Sequence, residues 1–217
     1  MNLLIIGDSF CHGIGLVSVF NNPANTKEAF GSYIAREMNM QYHNLAEPGT
    51  GIDRAIAVGY RFLTHNPDTF VIAGWSHPHR IGLYGPKSCL QILPAYTVLG
   101  NTTDTDVWTR TDHGMKSVAD RHNQQHLHLL PQLHRIVTDN DLFAGQAAEA
   151  GARVDMFRTW MRSRGIDFLD FNVFNGYYHL TQPSSDITFE SIMGTAQRHP
   201  TADEHRQFAN RWIERHV

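Results

Sequence analysis

Cysteine is nearly absent. The 217 residues hold two, Cys11 and Cys89, too few for a disulfide framework or a zinc ligand set. An excess of basic charge is missing too. Eighteen Lys and Arg stand against 21 Asp and Glu, a net charge of −3, which argues against nucleic acid or an anionic membrane as the main partner. There is no apolar run of about 18 residues, so no membrane span is expected. The opening residues, Met1 to Gly7, lack a basic leader and a small-residue cleavage site, so no signal peptide is expected. Internal repeats and low-complexity stretches are absent. The glycine-rich stretch from Gly7 to Gly15 has neither the Gly-Lys-Ser/Thr ending of a phosphate loop nor dinucleotide-binding spacing, which speaks against nucleotide binding.

Hydrophobic residues make up 41% of the chain and charged residues 18%, enough apolar material for one sizeable core. The apolar run from Asn2 to Ile6 stops at Gly7 and reads as a buried strand. A helix is predicted over 26–38, a strand over 42–45, and a helix over 52–63 with Ile52, Ile56, Tyr60 and Leu63 on its buried face. A strand over 70–73 ends at Gly74. A helix over 153–164 stops at Gly165, followed by a strand over 166–171. The last helix, over 202–215, starts with the capping-box pair Thr201 and Glu204. This alternation predicts an α/β fold, a three-layer α/β/α sandwich on a mostly parallel sheet. The stretch 85–137 breaks the pattern. It reads as a long insertion in a single domain spanning 1–217, irregular to about residue 112 and then a His-rich helix over 117–137 interrupted near Pro131.

In parallel α/β sheets, chemistry sits beyond the carboxyl ends of the strands. That rule points to Gly7-Asp8-Ser9, to the loop from Asn44 to Gly51, and to Gly74-Trp75-Ser76-His77. A serine hydroxyl needs a base and an anion-stabilising pocket to act as a nucleophile. The candidate base for Ser9 is His199, which Pro200 and the helix start hold in place. Fourteen histidines are present, and His122, His126, His128 and His134 cluster. No zinc-protease Glu follows His122, so a solvated or interface face is expected there, with no metal. Cys11 reads as a small buried apolar residue. His77 and His79 are candidates for the pocket mouth. Arg80 either holds an anionic group or pairs with a surface acid.

Together these residues resemble the SGNH/GDSL hydrolase superfamily. Gly7-Asp8-Ser9 matches its first block, Asn44-Leu45-Ala46-Glu47-Pro48-Gly49 its second, and His199-Pro200 the end of its last. The run Gly74-Trp75-Ser76-His77-Pro78-His79-Arg80 is similar to one in phage and bacterial proteins of this kind. The resemblance implies the SGNH version of the sandwich, a flavodoxin-like sheet, and a serine esterase or deacylase that needs no cofactor. The substrate would be a small acyl or acetyl ester, of a carbohydrate or a small molecule. Ser9 would be the nucleophile and His199 the base. Gly49 and Ser76 would serve the oxyanion pocket, and Asp8 would act mainly as a structural partner of its loop. A cytoplasmic or virion-associated location follows from the same likeness and the missing leader.

Two positions depart from the pattern. Ser76 stands where the superfamily has an oxyanion-binding Asn, and loss of such a donor typically costs about 10²–10³ in turnover. The Trp75 indole or His77 are alternative donors. Ala196 stands three residues before His199, where an Asp is usual. Three readings stay open: a carboxylate from elsewhere such as Asp186 or Glu190, a Ser–His dyad, or a catalytically impaired binding or assembly module. Acyl transfer in place of hydrolysis is compatible with the same residues.

Overall fold

The structure is a computed structural model that describes residues 1–17, 22–76, 81–84, 89–94, 105–111, 114–117, 140–173, 183–194 and 198–216. Four strands form a wholly parallel sheet: β1 (Asn2–Ile6), β2 (Gln41–Asn44), β3 (Thr69–Trp75) and β8 (Phe168–Asn172), in the order β2-β1-β3-β8. Helices α3 (Phe30–Glu37) and α7 (Ala202–His216) pack together on one face. Helices α4 (Ile52–His65) and α5 (Asn140–Ser163) pack together on the other. The α/β/α sandwich expected from the alternation is therefore the observed architecture.

Period-two alternation along the strands builds both cores. Leu3 and Ile5 of β1 join Ile72 and Phe171 beneath α3 and α7, while Leu4 and Ile6 join Val71 and Ala73 beneath α4 and α5. All eight are at most 1% exposed. Each of the Leu, Ile, Val and Phe side chains among them contributes about 1.5–3 kcal/mol on burial. The first core ends in a knot of aromatic rings. Phe208 of α7 lies 4.4 Å from Phe189, 4.7 Å from Phe30 and 4.9 Å from Phe171, centroid to centroid. That knot seats the amino-terminal half of α7 against the sheet.

Several boundaries differ from the sequence expectation. The predicted helix over 26–38 is two pieces. Asn22 caps a short helix α2 (Pro23–Thr26), the chain turns, and α3 begins at Phe30, whose N–H donates to His205 Nδ1 at 3.2 Å. On α4 the buried line is Ile52, Ala55, Gly59 and Leu63, and Tyr60 is 50% exposed against Trp160. A Cβ on Gly59 would lie 3.1 Å from both Ile6 and Phe157, so the bare glycine lets helix and sheet approach. Helix α5 starts well before residue 153. It ends as expected at Gly165, where φ is +66° and the N–H groups of Gly165 and Ile166 take up the carbonyls of Arg162 and Met161.

The stretch expected to be irregular to residue 112 is instead an antiparallel meander. Its strands are β4 (Ile81–Tyr84), β5 (Cys89–Pro94), β6 (Thr105–Thr111) and β7 (Gly114–Ser117), paired in sequence order. Ser117, expected to open a helix, ends β7. The remainder of that helix, with its histidine cluster, lies outside the described residues. A short helix α6 (Phe189–Met193) and the four-residue α1 (Ser9–His12) complete the described elements.

Candidate active site

Strand β1 delivers Ser9. The strand ends at Ile6, Gly7 turns with φ +148°, and Asp8 caps α1 by accepting the Phe10 N–H at 3.0 Å. Asp8 is fully buried, which fits a structural role in this turn. A Cβ on Gly7 would lie 2.6 Å from Cys11 Sγ and 2.7 Å from the Gly74 carbonyl, so this turn sits directly on the end of β3. Cys11 fills the space between the two glycines. It is wholly buried, and that burial pushes its thiol pKa well above the ordinary value. A thiol held protonated is a poor nucleophile.

His199 arrives from the other end of the chain. Its Nε2 lies 3.0 Å from Ser9 Oγ, across 190 residues of sequence. The imidazole rests against the Phe10 ring, with centroids 5.2 Å apart, and Phe10 in turn packs on Phe189 at 5.7 Å. Behind it the expected capping box is formed. Thr201 Oγ1 accepts the Glu204 N–H at 3.3 Å, and Glu204 Oε2 accepts the Thr201 N–H at 2.7 Å. A nucleophile within hydrogen-bond reach of a base is the arrangement that activates a serine.

The loop after β2 is tied at several points. Asn44 Oδ1 accepts the Ala46 N–H at 3.0 Å, and its Nδ2 donates to the Cys11 carbonyl at 2.9 Å. The Glu47 N–H donates to the Gly7 carbonyl at 3.1 Å, and Arg54 grips the Glu47 carboxylate at 3.0 and 2.9 Å. Thr50 Oγ1 donates to the Glu47 carbonyl at 2.7 Å. Gly49 has φ +72°, a left-handed conformation that glycine adopts at little cost. Among the described residues, neither the Ser9 nor the Gly49 backbone N–H donates a hydrogen bond.

The remaining sequence candidates separate. Ser76 is at the expected place, after β3 and 4% exposed, but its hydroxyl donates to the Thr50 carbonyl at 3.1 Å. A hydroxyl has one proton, so Ser76 as placed ties the glycine loop to β3. Trp75 does not face the crevice, which corrects its assignment to the pocket. It is 1% exposed on the α4–α5 side, and its indole N–H donates to Asp170 at 2.6 Å. Asp170 also accepts from Arg158 Nε at 2.7 Å, so the indole completes a buried ionic cluster. Asp186 is exposed and paired with Arg215 at 2.9 Å. His77, His79, Arg80 and Ala196 lie outside the described residues, as does the Glu190 side chain.

Three contributors were missed at the sequence level: Phe10, against which the imidazole packs, Thr50, which braces the loop, and Arg198, which donates to the His199 carbonyl. Adjacency to Ser9 and to His199 was the available signal for two of them. Among the described residues, no group of three or more His, Cys, Asp or Glu is placed to hold a metal ion, and no helix is long and apolar enough to cross a membrane.

No protein-family profile matches the sequence, and no curated protein matches it. Solved structures do. One is a carbohydrate esterase whose active site displays divergent catalytic and non-catalytic binding functions, with 16% identity and a TM-score of 0.40 over 99% of this chain and 64% of that one. A second, from Desulfitobacterium hafniense DCB-2, is described as a lipolytic protein of the G-D-S-L family, with 11% identity and a TM-score of 0.37 over 100% of this chain and 99% of that one. A third is a family 2 carbohydrate esterase with a carbohydrate-binding domain from Corynascus thermopiles (Myceliophthora fergusii), with 12% identity and a TM-score of 0.35 over 99% of this chain and 64% of that one. The chain thus spans 64% of the length of either carbohydrate esterase structure. At these identities and TM-scores the likenesses carry nothing about individual residues.

Proposed function

We propose that this chain is a serine ester hydrolase acting on a small acyl or acetyl ester, of a carbohydrate or a small metabolite. The observation that carries the proposal is the 3.0 Å approach of His199 Nε2 to Ser9 Oγ at the carboxyl end of a parallel sheet. Ser9 Oγ attacks the ester carbonyl carbon while His199 Nε2 takes the hydroxyl proton. The electron pair of the C=O bond moves to oxygen, and the Ser9 and Gly49 N–H groups, both without another acceptor among the described residues, donate to that oxyanion. The intermediate collapses, the ester C–O bond breaks, and His199 Nε2–H protonates the leaving alkoxide. Water then attacks the acyl-serine with His199 again as base. Ser76 acts by holding the Gly49 loop. The whole chain, 1–217, is read as one domain.

A fluorophosphonate probe tests this without a guess at substrate. Ser9 Oγ displaces fluoride from phosphorus, and intact mass reports the adduct. The wild type is expected to label at one site. Ser9→Ala abolishes the adduct, and His199→Ala slows it by about 10³-fold or more. A folded wild type that does not label overturns the hydrolase reading and leaves the binding module. Labelling, followed by turnover of acetyl and short acyl esters with and without an added alcohol, separates hydrolysis from acyl transfer.

A further inference from the structure

The backbone that presents His199 is held in a closed ring of charged hydrogen bonds. Arg198 Nη1 donates to the His199 carbonyl oxygen at 3.1 Å. The two terminal nitrogens of the same guanidinium grip the Glu204 carboxylate at 2.7 and 2.6 Å. Glu204 Oε2 accepts in addition from the Thr201 N–H at 2.7 Å and from the Thr201 hydroxyl at 2.9 Å. The Arg198 guanidinium, with the Thr201 donors, holds the Glu204 carboxyl down to about 2, so the carboxylate stays ionised well below neutral pH.

A lone surface ion pair contributes little. This one is bidentate, shares its donor with a backbone carbonyl and shares its acceptor with a helix cap, so its geometry is specified on every side. Proline at 200 adds a restraint, since it holds His199 in extended backbone. The imidazole carried by this held backbone rests on the Phe10 ring.

We propose that Arg198 and Glu204 are positioning residues for His199. The guanidinium bridge from the His199 carbonyl to the helix cap sets where Nε2 lies relative to Ser9 Oγ. The proposal deepens the hydrolase reading and rests on it. A misplacement of about 1 Å at a reacting group costs about 10²-fold in rate.

The test is the kinetics of fluorophosphonate labelling of the full chain, resolved into the limiting rate and the half-saturating probe concentration. For Arg198→Ala the limiting rate is expected to fall 10- to 100-fold, roughly the cost of such a misplacement, with half-saturation unchanged. Guanidinium ion at sub-denaturing concentration restores several-fold of that loss and leaves the wild type unaffected. Arg198→Lys falls between, because an ammonium cannot hold both carboxylate oxygens and the carbonyl. Glu204→Gln, nearly isosteric, reproduces the Arg198→Ala rate loss and serves if that variant does not fold. Wild-type labelling with unchanged limiting rates in folded Arg198→Ala and Glu204→Gln overturns the positioning role while the hydrolase reading stands. A lowered rate that neither guanidinium nor Arg198→Lys raises also overturns it, since the loss then comes from general destabilisation. A folded wild type that fails to label overturns the hydrolase reading, and the positioning role falls with it.

Discussion

Substituting Gly74 by alanine adds one methyl group at the point where β3 meets the nucleophile turn. A Cβ there would overlap Cys11 Sγ and lie 2.9 Å from Phe171 Cζ and 3.3 Å from Phe171 Cε2. Gly74 is not among the positive-φ residues, so the penalty is packing and not backbone strain. Overpacking of a dense core costs about 1–3 kcal/mol, and the depth of this overlap puts Gly74→Ala near about 3 kcal/mol. Cys11→Ala removes the closest obstacle and, as a small cavity, costs about 1–2 kcal/mol alone. Residues in contact are not additive, so the double variant should recover at least about 1 kcal/mol relative to the sum. Recovery stays partial because the Phe171 ring still has to shift. Urea unfolding of the four proteins, with equal m-values, measures the cycle. Penalties that add to within about 0.5 kcal/mol would refute the claim that Cys11 fills the gap between Gly7 and Gly74.

Two further outcomes follow from buried charge. Donors meet both oxygens of the Asp170 carboxylate: Trp75 Nε1 at 2.6 Å, Arg158 Nε at 2.7 Å and Arg158 Nη2 on one, the Ser184 N–H at 2.9 Å and hydroxyl at 2.7 Å on the other. Asp170→Asn removes the buried one of two carboxylates on Arg158, leaving the half-exposed Asp155 at 3.0 Å, and is expected to cost about 3 kcal/mol in chemical denaturation; a wild-type midpoint would show that the pair is not what holds β8 to α5. His205 is buried with its Nδ1 accepting from Phe30, and burial lowers its pKa from 6.5 to about 3. The unfolded chain takes up that proton below pH 6.5 and the folded one does not. Its stabilising contribution is therefore present above pH 6.5 and is lost as pH falls toward 3, at up to about 1.4 kcal/mol per pH unit. His205→Asn, which keeps an acceptor for Phe30, should show a shallower decline between pH 6.5 and 4, and equal slopes would contradict the assignment.

Much of the sandwich was legible because its signals are local. The run Leu3 to Ile6 ending at Gly7, the glycine stop at Gly165 and the Thr201–Glu204 box each follow from a few adjacent residues. Tyr60 misled because its ring is apolar, whereas the helix face is set by Gly59, a residue with nothing to contribute to a hydrophobic pattern. The meander escaped because its strands are mostly short and interrupted by Gly82, Pro94 and Gly114, and the seven-residue β6 mixes Thr, Asp and Arg with two apolar residues. Trp75 could have been placed by parity. It lies two and four residues beyond Ala73 and Val71, and so shares their face. That Ser9 and His199 meet was suggested by order along the chain, but the 3.0 Å distance depends on the aromatic packing under α7, which no short stretch of sequence encodes.

The Ser9–His199 contact has a temporal side. Ser9 is synthesised well before His199, and residues 198–216 follow every described strand of both sheets. The parallel sheet can pair, and Asp8 can cap its turn, while the base is still unsynthesised. On the proposed mechanism, a nascent chain carries an unactivated hydroxyl until α7 docks through Phe208 and Trp212. On that mechanism, acquisition of probe reactivity during synthesis would mark the docking of α7, since the same hydrogen bond closes a separation of 190 residues.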